Sequence, residues 1–419
     1  MPPPRLSLLY LVNARLPTEK AHGYQVAKMC EAFAYAGCDV ELWHPRRRQP
    51  PAIGPRSLFE YYDIAPSFAV EELPNVDPTR LLDALPASLA VAGFSLHRLA
   101  WGLAAAAKAR RRRADLFYAR DPALALWLVL LGCPTVCELH RGASGMTGWV
   151  LRVVGARTPL RRLVTITAEG RRDVLAAGVS PSKVVVAHDA VDLDAYRGLP
   201  SRDECRRRLD LPADRPIVGY VGRLRSMEMD KGIGTLIEAI SRMDDGVEAP
   251  MLVCVGGPAD AAEDYRRAGA RLGLGEDRLR FVGQVPARAV PTWIRACDVV
   301  TLPSPATPFF ARFSSPMKLF EYLAAGATIL ASNLPAIAEV LTDQQTALFV
   351  APEDPGAWAA GIAQLLDDPG LRQRLGANAA ALGAEYSWEK RAAAILAASG
   401  IVGVAERANP RTMTRGDAR

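Results

Sequence analysis

Residues 314–326, Ser-Ser-Pro-Met-Lys-Leu-Phe-Glu-Tyr-Leu-Ala-Ala-Gly, combine the residue types of a helix start with a carboxylate. Ser315 can cap the helix, Pro316 suits its first turn, where a missing N–H is no loss, and Gly326 suits its end. An apolar strand pattern, Val299 to Leu302, and a Pro-rich loop precede it. A helix N-terminus at the end of a strand presents free amides to an anion. Glu321 falls about one and a half turns in, where its carboxylate can accept both hydroxyls of a ribose. Upstream, Gly219-Tyr-Val-Gly-Arg-Leu closes a strand pattern and leaves Gly222 and Arg223 at its carboxyl end. Lys231-Gly-Ile-Gly-Thr opens an amphipathic helix carrying Leu236, Ile237 and Ile240. Two cations beside a helix N-terminus stabilise a diphosphate, above all one that gains charge as it leaves. Phosphate and ribose together imply a nucleotide.

The elements that must hold these residues alternate between strand and helix. In the amino half, Leu6–Val12 is a continuous apolar run, as in a strand buried on both faces. A loop to Gly23, a helix over 24–36 and a strand over 39–43 complete a βαβ unit, which implies a parallel sheet with a right-handed crossover. Further strands are expected over 116–118, 135–139, 163–167 and 184–187. Residues 46–80, rich in proline and weak in periodicity, read as a long insertion. The carboxyl half repeats the pattern, with strands over 217–221, 251–255, 279–282, 299–302, 328–331 and 347–350. The charged stretch 192–215 reads as the linker. The expected organisation is therefore two doubly wound, Rossmann-like α/β domains facing a central cleft, with ligands at the carboxyl ends of the strands. Their boundaries are placed at 1–195 and 196–385, followed by a helix over 386–405 that packs back toward the first domain and a basic tail over 406–419.

The chain has 419 residues, half of them hydrophobic, enough for two sizeable cores. Its seven cysteines are odd in number and scattered, which fits reduced thiols in a cytoplasmic protein better than a disulfide scaffold. Met1–Leu6 leads into a strand pattern rather than a secretory signal, and no apolar run reaches the length of a membrane span. The net charge of +6 is uneven: residues 1–199 carry 25 Lys/Arg against 18 Asp/Glu, while the remainder is nearly balanced. Lys108–Arg113, a basic run, follows an apolar helix pattern bearing Phe94 and Trp101. This fits peripheral binding to anionic lipid on the cytoplasmic face of a membrane, and equally a helix packed on its own sheet with a solvated basic end. Nucleic acid is not an expected partner, because no aromatic platform or reader motif accompanies the charge. Asp192-Leu-Asp194 has the spacing of a metal-binding acidic pair but sits in the linker region, so no metal and no cofactor are expected.

The ordered set Gly-Arg-Leu, Lys231-Gly, Phe281-Val-Gly and Ser-Pro-Met-Lys-Leu-Phe-Glu-Tyr-Leu-Ala-Ala-Gly resembles the donor-binding domain of family 4 glycosyltransferases, retaining enzymes of the GT-B architecture. Leu16 to Phe33, Glu138-Leu-His140, residues 167–178 and His188-Asp-Ala-Val-Asp resemble that family's amino-terminal landmarks, so the resemblance spans about residues 5–400. It implies transfer of a sugar from a nucleotide diphospho-sugar to a glycan or lipid-linked acceptor, with closure of the cleft excluding water. Arg223 and Lys231 would hold the diphosphate and stabilise the leaving nucleotide. Gly222 would adjoin the donor, Glu321 would bind the ribose, and the amides around Ser315, Pro316, Met317 and Lys318 would meet phosphate. Gly23 would let the first-domain loop approach the phosphates, the backbone of Val282 and Gln284 would meet the base, and His140 would lie near the transferred sugar. Arg120 and Asp121 would orient His140, or Asp121 would simply cap the helix starting at Pro122. The chain departs from the family at Phe313, where a second glutamate that contacts the sugar is usual. Two rival readings remain: a nucleotide-sugar epimerase of the same architecture, and a noncatalytic nucleotide-binding relative.

Overall fold

The computed structural model describes residues 5–51, 53–76, 86–226, 229–243 and 249–401. The basic tail expected over 406–419 lies outside the described residues. The chain forms two compact units, one from residues 1–188 together with 388 onward, the other from Asp189–Ser387.

Unit 1 is built from β1 (Ser7–Leu11), α1 (Ala21–Tyr35), β2 (Asp39–Pro45), α2 (Leu58–Tyr62), β3 (Ala69–Leu73), α3 (Ala87–Arg110), β4 (Leu116–Ala119), α4 (Pro122–Leu130), β5 (Thr135–Leu139), α5 (Gly145–Gly155), β6 (Leu160–Thr165), α6 (Ala168–Ala176) and β7 (Val184–Val186). Its strands pair in parallel in the order β3-β2-β1-β4-β5-β6-β7. The winding reverses between β1 and β4, and Tyr10 and Tyr118 stack there with ring centroids 4.6 Å apart. The apolar continuity of β1, β4 and β5 has its reason in this position: all three are central strands covered on both faces.

The described residues of the stretch 46–80 are not the insertion that its prolines suggest. They contribute α2, opened by a Ser57–Glu60 capping box, and β3, which extends the sheet beside β2. β3 is mostly exposed, as an edge strand can be, so its periodicity is weak. The helix expected from residue 24 starts at Ala21, so Gly23 lies inside its first turn. A Cβ on Gly23 would sit 2.0 Å from the Tyr62 hydroxyl, which accepts a hydrogen bond from the Thr18 amide at 2.8 Å. The glycine therefore admits the α2 segment against the loop before α1. The basic run at the end of α3 is fastened to its own sheet: Lys108 and Arg112 pair with Glu71, Arg112 also pairs with Glu41, and both cations lie over the Trp43 ring.

Unit 2 contains α7 (Arg202–Arg208), β8 (Ile217–Val221), a short hairpin of β9 (Arg225–Ser226) and β10 (Met229–Asp230), α8 (Ile233–Ser241), β11 (Met251–Val255), α9 (Ala259–Arg271), β12 (Leu279–Gly283), α10 (Val290–Ala296), β13 (Val299–Leu302), α11 (Pro308–Arg312), α12 (Met317–Ala324), β14 (Ile329–Ser332), α13 (Pro335–Ala338), β15 (Leu348–Val350), α14 (Pro355–Asp367) and α15 (Pro369–Gly383). The sheet is parallel, in the order β12-β11-β8-β13-β14-β15, with its reversal between β8 and β13. The expected linker belongs to this unit. Arg206 of α7 is buried and donates to the carbonyls of Ala296 and Ala213 and to the Asp298 carboxylate, 2.5 Å away. Asp192 caps a helical turn by accepting from the Asp194 amide. Finally α16 (Trp388–Ala398) rejoins unit 1, packing on α1.

Candidate functional site

The charges of unit 2 converge where its winding reverses. Gly222 follows β8 at φ 142° and donates its N–H to the Val255 carbonyl. The loop after β11 lies so close that a Cβ on Gly256 would stand 2.0 Å from the Gly222 oxygen. Further backbone bonds, Leu224 to the Gly257 carbonyl and Gly256 to the Gly283 carbonyl, join the loops after β8, β11 and β12 into one edge. Val282 and Gln284 lie at the β12 end of that edge. Arg223 is held by its own carbonyl, which accepts from the Tyr220 hydroxyl at 2.6 Å.

Lys231 precedes Gly232, the N-cap of α8, whose φ of 84° requires glycine. A Cβ there would overlap the Pro303 carbonyl at 1.7 Å, so the loop after β13 closes directly on the start of α8. The Asp230 carboxylate accepts from the Gly232 and Ile233 amides and from the Tyr265 hydroxyl. The α8 terminus is thus capped from within, beside the side chain of Lys231. That ammonium lies 4.1 Å from the Phe310 ring centroid. Burial, reinforced by repulsion from Arg223, brings it down to about 8.

α12 carries the remaining groups. Leu319, Phe320, Tyr322 and Leu323 are buried, and the Tyr322 hydroxyl accepts from the Val221 amide at 2.9 Å, fixing the helix to the end of β8. Lys318 and Glu321, one turn apart, share the other face. The Lys318 ammonium sits 3.6 Å from the Tyr220 ring centroid. Burial and then Lys231 hold it well below its ordinary value, while Glu321 pulls the other way. Burial pushes the Glu321 carboxyl up to about 7 against the attraction of Lys318. Ser315 does not cap this helix. The N-cap is Pro316, which has no side chain to offer, and the Ser315 hydroxyl lies one residue too early and accepts from the Asp189 amide at 2.9 Å. The first amides of α12, from Met317 and Lys318, therefore begin a helix that no side chain caps. Phe313 ends α11 and stacks with Arg312.

A second polar cluster lies in unit 1 around Glu138, which is fully buried on β5. Its carboxylate accepts from Gln25 at 2.7 Å, Arg391 at 3.1 Å, His140 at 2.5 Å and the Tyr118 hydroxyl. Arg120 donates to Gln25 and to Nδ1 of His140, so the His140 proton resides on Nε2 and points at Glu138. Burial raises the Glu138 carboxyl, but Arg391, His140 and Arg120 outweigh it and keep it well below the usual range. Burial and Arg120 lower His140 to about 4, so it is neutral near pH 7. Asp121 caps α4 through the Ala123 and Leu124 amides, and it is Arg120 that orients His140. Neither Gln25 nor Arg391 stood out in the sequence. The one signal for Arg391 is an arginine among the small and apolar residues of an otherwise buried helix face.

Two parallel, doubly wound sheets, with cations and a carboxylate at the reversal point of the second, define a two-unit Rossmann-like α/β protein. Two family models match it, one described as Glycosyltransferase Family 4 over residues 23–195, the other as Glycosyl transferases group 1 over residues 215–368. The chain belongs to this glycosyltransferase family. It is 30% identical over 255 residues to a D-inositol 3-phosphate glycosyltransferase of Streptomyces scabiei (strain 87.22), covering 58% of this chain and 55% of that protein. It is 30% identical over 222 residues to one of Corynebacterium glutamicum (strain R), covering 51% and 50%. The chain thus spans about half the length of the curated relatives it matches. Among solved structures, a glycosyltransferase from Rickettsia africae ESF-5 aligns with a TM-score of 0.71 at 16% identity, over 94% of this chain and 98% of the other. Anabaena HepE, crystallised with UDP, aligns with a TM-score of 0.69 at 19% identity, over 94% and 99%. These establish a shared GT-B fold. Among the described residues no helix is long and apolar enough to cross a membrane, and no group of three or more His, Cys, Asp and Glu is placed to hold a metal ion.

Proposed function

We propose that the chain transfers a sugar from a nucleotide diphospho-sugar to an acceptor hydroxyl with retention of configuration. The observation that carries this is the convergence of Arg223, Lys231 and Glu321 at the edge formed by β8, β13 and α12. The bond between the anomeric carbon and the diphosphate breaks, and that carbon bonds the acceptor oxygen on the same face. The acceptor proton passes to the departing phosphate. Arg223 and Lys231 stabilise the charge that develops on the leaving group, the work a divalent cation does elsewhere. Glu321 accepts the ribose hydroxyls, and the uncapped start of α12 from Ser315 to Lys318 faces phosphate. Val282 and Gln284 adjoin the base. In this reading His140 is not the base: lowered to about 4 it holds a proton weakly, and both its nitrogens are engaged.

UDP-sugars are the first donors to test, since Anabaena HepE was crystallised with UDP. A phosphorylated polyol is the first small acceptor, given the names of the curated relatives. Glycan and lipid-linked acceptors follow. Arg223→Ala and Lys231→Ala should each lose roughly 10²–10³ in turnover, the scale for removing one transition-state charge partner. Near-normal turnover in both, or inversion at the anomeric carbon by NMR, would sink the proposal. For membrane association the apolar face of α3, with Leu89, Leu96 and Leu103 exposed, is a better surface than the basic run that pairs with β2 and β3. Sedimentation with anionic and with zwitterionic vesicles tests that contact.

A further inference from the structure

The ammonium of Lys318 has no hydrogen-bond or ion-pair partner among the described residues, although it carries three donors. Its surroundings are built to hold it. The Tyr322–Val221 hydrogen bond sets the register of α12 on β8, and the Tyr220 ring lies beneath the charge. Gly222 leaves the space it occupies: a Cβ there would stand 3.0 Å from Cε and 3.1 Å from Nζ. The groups that act on it are Lys231 before α8, Glu321 on α12 itself and the neutral thiol of Cys254 on β11. Glu321 favours its charge, Cys254 does so less, and burial and Lys231 outweigh both. A half-buried cation held beside another cation is unfavourable until an anion arrives.

We propose that the Lys318 side chain is a third phosphate ligand, donating to a diphosphate oxygen across the open Cα of Gly222. This rests on the donor-site reading above and deepens it. A diphosphate would meet Arg223, Lys231 and Lys318 together, and Glu321 would be left to the ribose. Recognition would then favour the diphosphate over shorter phosphates, because a third cation needs the second phosphate to reach.

Titration calorimetry of the full chain with UDP, UMP and uridine tests the assignment. Lys318→Met should weaken UDP binding roughly 10- to 100-fold, the range for losing a hydrogen bond to a charged group, and should change uridine binding less than about 3-fold. An equal loss for all three ligands, or no loss for UDP, would overturn it. Absence of UDP binding by the unaltered chain, followed by the same result with GDP, ADP and TDP, would instead sink the donor-site reading. If Lys318→Met does not fold, brief acetic anhydride labelling of the unaltered protein decides the matter. UDP should protect Lys318 along with Lys231, and protection of Lys231 alone would refute the role.

Discussion

At the carboxyl ends of the central strands of unit 1, Glu138 gathers Gln25, Tyr118, His140 and Arg391, and Arg120 bridges two of them. At the corresponding ends in unit 2, Lys231, Lys318 and Glu321 have no hydrogen-bond partner among the described residues. Both sheets reverse at their middle strands, so both offer the same kind of crevice. One has filled it with mutually satisfied side chains, whereas in the other these three side chains make no such bonds among the described residues. A satisfied network fixes geometry, whereas a buried polar group without a partner carries a cost. The contrast fits the proposal above, in which unit 2 holds the donor, and it leaves the unit 1 cluster a structural part.

The strongest way to break this contrast is Glu138→Ala. It leaves Arg391 as a buried charge without its carboxylate and should cost about 3–5 kcal/mol in urea unfolding. A loss below about 1 kcal/mol, the size of a surface pair, would mean the network is not structural. The next effect is on pH. Glu321 loses its negative charge as pH falls through about 7, and Lys231 loses its positive charge as pH rises through about 8. Turnover at low donor concentration, kcat/KM, should therefore be bell-shaped, with limbs near these values and close to tenfold per pH unit beyond them. Unit 1 should add no limb between, because His140 is already neutral above about 4. Lys231→Arg should remove the upper limb, and its persistence would assign that limb to another group. Asp230→Ala should cost about 1 kcal/mol of unit 2 stability by uncapping α8. The smallest effect has the opposite sign: Lys318→Met should stabilise the unliganded protein by about 1 kcal/mol, since it removes an unmatched half-buried cation. Destabilisation instead would show that the unliganded fold relies on that charge.

Sequence reached most of the framework because central parallel strands are apolar throughout. β5, β8, β11 and β13 fall at the positions their runs mark, and α16 spans Trp388–Ala398 within the expected 386–405. β3 was hidden because an exposed edge strand carries Glu71 and Glu72 where a buried one would carry apolar residues. The stretch around α7 reads as a linker because arginine signals solvent, yet Arg206 is buried on carbonyls and Asp298. Arg223, Lys231 and Glu321 stand out along the sequence by their spacing in motifs, and their role remains the proposal above. The Lys318 side chain does not, since its meaning depends on Gly222, almost a hundred residues away in sequence, which only the packing of α12 on β8 brings near. Ser315 misled because a serine just before a proline-led helix looks like a cap, and one residue of offset turned it to Asp189.

The return of α16 to unit 1 has a consequence for the order in which the protein matures. Arg391 donates to the carbonyls of His188 and Ala187 and to Glu138, so one residue near the end of the described chain completes a site begun at Gln25. During synthesis all the elements of unit 2 emerge before that residue does. Until it leaves the ribosome, unit 1 holds a carboxylate in its interior without the chief counter-charge. The domain made first is thus the domain finished last, and its final assembly waits on a segment that the ribosome delivers only after the whole of the other.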